Sequence, residues 1–187
     1  ENTNLYPGMD TTGLCPVDTF GSAPLYLPGQ QPDDEEVRAR LERYWRPYHA
    51  QVRSELDRLL AIHGKVVLWD AHSIASVVPR FFEGRLPDLN FGTACGASCA
   101  PGLEQAVVGV AQAQDKFSVA VNGRFKGGYI TRHFGQPANN VHAIQLEMCQ
   151  CTYMDETPPF AYRPDRAREV QGTLHRMMEA AVDWVRA

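Results

Sequence analysis

The stretch "VVLWDAHS", residues 66–73, places an aspartate and a histidine directly after a short apolar run. The run is rich in β-branched residues and too short for a helix, so it predicts a buried strand over 65–69. Ligands bind beyond the strand ends of open α/β sheets. Asp70 and His72 are therefore candidates for a metal or catalytic site, with a purely structural polar pair as the alternative.

Helices and strands alternate around this run, which predicts one three-layer α/β domain over residues 1–187. Pro32 and the four acidic residues after it predict an amphipathic helix that kinks near Pro47 and ends at Gly64. Residues 1–32 hold five prolines and four glycines and are expected to be irregular. The other predicted elements are strands at 88–93, 117–122 and 141–148, and helices that open at Pro101 and Pro164.

The composition argues against two classes of partner. The chain is 44% hydrophobic and 21% charged with a net charge of -4, so it lacks the basic field that binds a nucleic-acid backbone. No apolar run approaches the roughly 18 residues that span a bilayer, so we expect no membrane partner. The odd count of five cysteines argues against a disulfide framework and favours a cytoplasmic location.

The segment "NGRFKGGYITRHFGQPANN", residues 122–140, concentrates positive charge in a glycine-broken loop without a compensating acid. Its Arg124, Lys126, Arg132 and His133 predict an anionic ligand, because arginine binds a carboxylate through two parallel hydrogen bonds. A solvated surface loop is the alternative. The segment is not a Walker phosphate loop, because glycine rather than serine or threonine follows the lysine.

The stretch "VHAIQLEM", residues 141–148, predicts a strand with a carboxylate inside an apolar run. Strand alternation places Gln145, Glu147 and Cys149 on one face. A buried carboxylate is costly unless it is paired. Glu147 is therefore expected either to bond to a cation or to take part in chemistry.

Seven motifs spread over nearly the whole chain carry a family resemblance. They are "NLYPG", "WRPYH", "LWDAHSI", "LPDLNFGT", "NGRFKGGYITRHFG", "PANNVHAIQLE" and "TYMDE". Together they resemble the N-formylglutamate amidohydrolase family. The resemblance implies a three-layer α/β/α fold with a mixed sheet, similar to the phosphorylase/hydrolase-like fold of zinc carboxypeptidases. It also implies zinc-dependent hydrolysis of a small anionic acyl-amino acid, N-formyl-L-glutamate, to formate and L-glutamate in histidine degradation.

The same resemblance implies roles for individual residues. His72 corresponds to a metal ligand with Asp70 beside it, and Glu147 corresponds to the general base that deprotonates a water molecule. Arg124 is a candidate for stabilising the developing oxyanion. The candidates for binding the substrate are Lys126, Arg132, His133 and Asn139.

Two other functions are compatible with the same residues. A cysteine-dependent amidase without metal would use Cys149 or Cys95 as nucleophile and His72 or His133 as base. A carboxylate-binding module would use the basic segment 122–140 without catalysis.

The resemblance also bears on the start of the chain. Family members carry further metal ligands in a segment before the point where this chain begins, and a catalytic zinc normally has three protein ligands. We therefore expect a fold that is incomplete at the N-terminus, and weak or absent zinc binding by this chain alone.

Overall fold

The computed structural model of the protein describes residues 13–187. Its sheet is mixed: β4 (Val141–Cys149) pairs in parallel with β1 (Val66–Ile74) and antiparallel with β2 (Leu89–Gly92). β3 (Val119–Val121) pairs in parallel with β2, which gives the order β1-β4-β2-β3. The predicted α/β fold with a mixed sheet is confirmed. The α-helices of this part are α1 (Asp34–Arg40), α2 (Arg46–His63), α3 (Pro101–Gln112), α4 (Tyr129–Phe134) and α5 (Pro164–Arg186).

The described chain divides into two compact units. The first contains the residues up to Ser54 together with Val77–Arg85, and the second contains Glu55–Ser76 and Leu86–Ala187. All four strands belong to the second unit. Of the segment 1–32 that was predicted to be irregular, the first twelve residues lie outside the described part; the rest forms turns around an isolated β-bridge.

The predicted first helix starts as expected but continues differently. The side chain of Asp33 accepts a hydrogen bond from a backbone N–H of the first turn, as an N-cap does. A π-helical turn at Leu41–Trp45 joins α1 to α2, directly before the position where the kink was predicted. The N–H of Arg46 bonds to the carbonyl of Leu41, five residues earlier. This wider turn ends just before the proline, which has no N–H to continue an α-helical ladder.

One face of the sheet in the second unit is apolar. Alternate side chains of β2 and β4 fill it and pack against α3 and α5. Each large side chain buried in this way contributes about 1.5 to 3 kcal/mol. The alternation leaves the intervening residues of the same strands on the opposite face. The principal core residues are Leu89, Phe91, Ile144 and Leu146 from the strands and Leu103, Val107, Val170 and Met177 from the helices.

Strand β1 is longer than predicted. Its residues pair one by one with β4, from Val66 beside Val141 to Ile74 beside Cys149, so the predicted end at residue 69 is wrong. The second half of β1 lacks a hydrophobic pattern, and backbone hydrogen bonds to β4 keep it in the sheet. Asp70 and His72 consequently lie within the sheet and not beyond its end.

The basic segment 122–140 is partly helical, contrary to the prediction of a loop. It contains α4 and a 3-10 turn at Pro137–Asn139. Helix α4 contacts β1 and β4, on the face opposite to α3 and α5. Helices therefore lie on both faces of the sheet. None of the helices in residues 13–187 is long and apolar enough to cross a membrane.

Candidate active site

The strand register gathers a set of polar side chains on the face away from α3 and α5. Asp70 lies beside Gln145, and His72 lies beside Glu147. Asn90 of β2 is the neighbour of Glu147 on its other side. Four of these five side chains are buried, whereas the His72 side chain is 47% exposed. The face thus forms a polar cluster that opens to solvent at His72.

Asp70 fixes the imidazole of His72. Nε2 of His72 lies 2.8 Å from Oδ1 of Asp70, and an ionised carboxylate oxygen can only accept, so the ring donates through Nε2. This hydrogen bond raises the pKa of His72. The other carboxylate oxygen accepts a hydrogen bond from the hydroxyl of Thr131 at 3.1 Å. Each oxygen of Asp70 therefore accepts a hydrogen bond from the protein, and in the neutral imidazole the lone pair at Nδ1 of His72 is left to bind a ligand.

Glu147 has the properties of a group that exchanges protons near neutral pH. Burial raises the pKa of this carboxyl to about 7, while the neighbouring His72 opposes the rise. Nε2 of Gln145 lies 3.4 Å from its Oε2, a long hydrogen bond. A carboxyl with a pKa near the working pH can act as a base and then as an acid.

Helix α4 carries the basic segment to this face. Thr131 is fully buried and bonds to Asp70, and Arg132 follows it in the chain. The guanidinium of Arg132 donates to the carbonyl of Gly127 at 2.6 Å. The next N–H, that of Gly128, donates to Oε1 of Gln145, also at 2.6 Å. Of the predicted substrate-binding residues, Arg132 is thus linked to the polar cluster through the hydrogen bonds of Gly127 and Gly128.

Arg124 and the other predicted substrate-binding residues make contacts with their own neighbours. Arg124 lies over the ring of Phe125, and the exposed His133 stacks on Tyr129. Asn139 donates to the side chain of Gln136 within the 3-10 turn region, and the backbone carbonyl of Lys126 accepts from Ala94. The role of Arg124 at the oxyanion and the roles of Lys126, His133 and Asn139 in binding substrate stay predictions.

The described residues do not complete a zinc site. Within residues 13–187, no three histidine, cysteine, aspartate or glutamate side chains are grouped closely enough to hold a metal ion. His72 offers one imidazole nitrogen of the kind that zinc prefers. The assignment of His72 and Asp70 to a metal site stays a prediction.

Cys149 is poorly placed for the nucleophile of an amidase. Its side chain is completely buried, and its thiol donates to the backbone carbonyl of Pro87 at 3.1 Å. A nucleophilic thiol needs access to substrate and a base to activate it. Cys95 is exposed, on the turn that follows β2.

The second unit thus combines an α/β fold with a site in which a buried carboxylate lies beside an oriented histidine. The sequence model of the N-formylglutamate amidohydrolase family matches residues 1–154. The chain belongs to this family.

Relatives of known name support the assignment. An N-formylglutamate deformylase from Pseudomonas putida is 50% identical over 184 residues, which is 98% of this chain and 68% of the relative. One from Pseudomonas aeruginosa is 51% identical over 94% of this chain and 66% of its own length. The chain thus spans about two thirds of the length of these relatives.

Two solved structures share the fold. An N-formylglutamate amidohydrolase from Ralstonia eutropha superposes with a TM-score of 0.71 and 25% identity, over 84% of this chain and 58% of that one. A gene product of Agrobacterium tumefaciens has a TM-score of 0.62 at 19% identity, over 92% of this chain and 63% of that one, and supports the fold alone.

Proposed function

We propose that the protein hydrolyses the formyl amide of N-formyl-L-glutamate to formate and L-glutamate, with a divalent metal, as a step of histidine degradation. The observation that carries the proposal is the juxtaposition of Glu147 with the Asp70–His72 pair on one buried polar face. Membership of the amidohydrolase family and the names of the relatives support the same substrate.

In this proposal Glu147 moves the proton that the reaction requires. A water molecule attacks the formyl carbon, and the ionised carboxylate accepts a proton from that water. The carbon–nitrogen bond then breaks, and Glu147 passes the proton to the departing nitrogen, which leaves as the amino group of glutamate. The raised pKa of Glu147 suits both halves of this transfer.

His72 would supply one zinc ligand through Nδ1, with Asp70 holding the ring. Zinc bound there would act as a Lewis acid on the formyl carbonyl oxygen. One imidazole lacks the chelate arrangement of a tight zinc site. We therefore expect residues 13–187 alone to bind zinc weakly.

Formate release by the protein expressed from its complete gene tests this proposal. We expect turnover of N-formyl-L-glutamate that is lost after dialysis against a chelator and restored by zinc. Binding of N-formyl-L-glutamate without formate release would support a carboxylate-binding module instead. Activity that survives the chelator but is abolished by iodoacetamide would support a cysteine-dependent amidase.

Arg132→Ala tests which part of the substrate the basic segment holds. If Arg132 binds the side-chain carboxylate, kcat/KM for N-formyl-L-glutamate should fall by an amount equivalent to about 2 to 4 kcal/mol. N-formyl-L-glutamine, whose side chain is neutral and of the same shape, should lose much less. Equal losses for both substrates would place Arg132 at the α-carboxylate or the oxyanion, and no loss would exclude it from the site. Arg168→Ala, at an exposed position of α5, is the matched control.

Gly92→Ala tests whether the basic segment must press against the sheet for activity. A Cβ at Gly92 would overlap the backbone nitrogen of Gly127 and lie 2.8 Å from the carbonyl carbon of Lys126. Lys126 and Gly127 would have to move away from the sheet and from Gln145. A displacement of about 1 Å in a site can lower turnover by about 10²-fold. The control is Gly109→Ala in α3, where no atom lies within 4 Å; it should raise the unfolding free energy by about 0.5 to 1 kcal/mol. Wild-type turnover in Gly92→Ala would contradict the described contact.

A further inference from the structure

We propose that Gln145 is a positioning residue for the reaction, whose side-chain amide orients the carboxylate of Glu147. The inference rests on the proposed role of Glu147 as the proton-transferring group. Gln145 is a buried residue of β4, and neither its chemical type nor the family resemblance assigns it a function.

The polarity of the Gln145 amide is fixed by the backbone. The N–H of Gly128 can only donate, and it lies 2.6 Å from Oε1 of Gln145, which must therefore be the amide oxygen. The amide nitrogen is then directed at Oε2 of Glu147, 3.4 Å away. Gln145 thus presents a donor to the carboxylate, and long hydrogen bonds to catalytic groups commonly shorten when substrate binds.

The Gly128 donor is itself held in place. Gly128 is the N-cap residue of α4, and that helix is anchored through the buried hydrogen bond from Thr131 to Asp70. The preceding Gly127 lies against Gly92 of β2 so closely that no side chain fits between them. The amide oxygen of Gln145 is therefore held by the backbone N–H of Gly128, and its amide nitrogen faces the carboxylate of Glu147.

Burial explains why this orientation would matter. Glu147 is 7% exposed and Gln145 is 5% exposed, so water has little access to replace the hydrogen bond. A carboxylate that must receive a proton from one atom and deliver it to another depends on a fixed direction of its lone pairs. A merely structural amide would instead affect the stability of β4 and leave the chemistry unchanged.

The test is Gln145→Met in the zinc-loaded protein expressed from its complete gene, with N-formyl-L-glutamate as substrate. Methionine keeps the length of the side chain but neither accepts from Gly128 nor donates to Glu147. We expect kcat to fall about 10-fold or more while KM changes less than about threefold. Ser98→Ala is the matched control, because it also removes a buried hydrogen bond to β4, from the Ser98 hydroxyl to the carbonyl of Ala143; it should lower the unfolding midpoint and leave kcat and KM unchanged.

A second pair of variants keeps the test decisive if Gln145→Met does not fold. Gly128→Pro removes the N–H, and the φ of -75° at this residue is compatible with proline. Gly128→Ala keeps the N–H, and its Cβ would lie 3.4 Å from Oε1 of Gln145, an ordinary contact. We expect Gly128→Pro to lose at least fivefold more kcat than Gly128→Ala. Where both variants fold, adding Gly128→Pro to Gln145→Met should lower kcat little further, because both substitutions remove the same hydrogen bond between Gly128 and Gln145.

The outcomes separate this inference from the proposed function. If the wild-type protein releases no formate, the proposed function fails. If the wild-type protein turns over but Gln145→Met behaves like Ser98→Ala, or the two Gly128 variants match, Gln145 has no positioning role. Additive losses in the double variant would also overturn the link between Gly128 and Gln145.

Discussion

Glu147→Gln is expected to lower kcat by about 10²-fold or more, because the amide cannot accept the proton of the attacking water. The substitution keeps the shape of the side chain, so the fold and zinc content should be retained. The measurement is formate release together with metal analysis of the same samples. Glu179→Gln, the same chemical change at an exposed position of α5, is the control. Near wild-type turnover in Glu147→Gln would remove Glu147 from the reaction.

The same variant should change the pH dependence of stability in the metal-free protein. The folded-state pKa of Glu147 is raised from 4.5 to about 7 by burial. The unfolded chain therefore releases this proton first, and the group destabilises the fold as pH rises from about 4.5 to about 7. Glu147→Gln should lack this part of the decline, which denaturant titrations at pH 5 and pH 8 would measure.

His72→Ala and Asp70→Asn are expected to separate a metal ligand from its supporting residue. Loss of the ligand should remove zinc-dependent turnover, a fall of about 10²-fold or more, since Lewis-acid stabilisation supplies several kcal/mol. Asp70→Asn leaves the imidazole present but weakens its orientation, which typically lowers metal affinity by about 10- to 100-fold. Its activity should return at excess zinc, whereas that of His72→Ala should not. Zinc titrations of both variants, with formate release at each concentration, provide the measurement.

One outcome of that experiment would reverse the assignment. If Asp70→Asn loses activity as completely as His72→Ala and excess zinc does not restore it, Asp70 itself coordinates the metal. In the structure one carboxylate oxygen accepts a hydrogen bond from His72 and the other from Thr131, so a metal would share these oxygens with them or replace them.

The apolar pattern was sufficient to predict the central strands and the last helix. The prediction of a strand at 141–148 differs from β4 by a single residue. It succeeded because "VHAIQLEM" is largely apolar, as expected for a strand that is buried on both faces. It failed for β1, whose second half carries Asp70, His72 and Ser73. These residues have no hydrophobic signal, and only the pairing with β4, far away in the sequence, makes them a strand.

The motifs single out the catalytic candidates, whereas the residues that hold these candidates in place have no signal in the sequence. His72 and Glu147 stand out by chemical type and by position in the motifs. Thr131 does not, because α4 has only six residues, too few for a helical pattern, and is held by tertiary hydrogen bonds. Gln145 was placed on the face of Glu147 by alternation, but its tie to Gly128 depends on a fold that brings the basic segment over β4.

The register of β1 against β4 limits how the length of this chain can vary through evolution. Deleting a single residue between Val66 and Asp70 would turn Asp70 and His72 toward α3 and α5 and place Ser73 beside Glu147. A deletion in the exposed turn after α3 would leave both faces as they are. Insertions and deletions should therefore be tolerated in the connections, while β1 and β4 admit substitutions only.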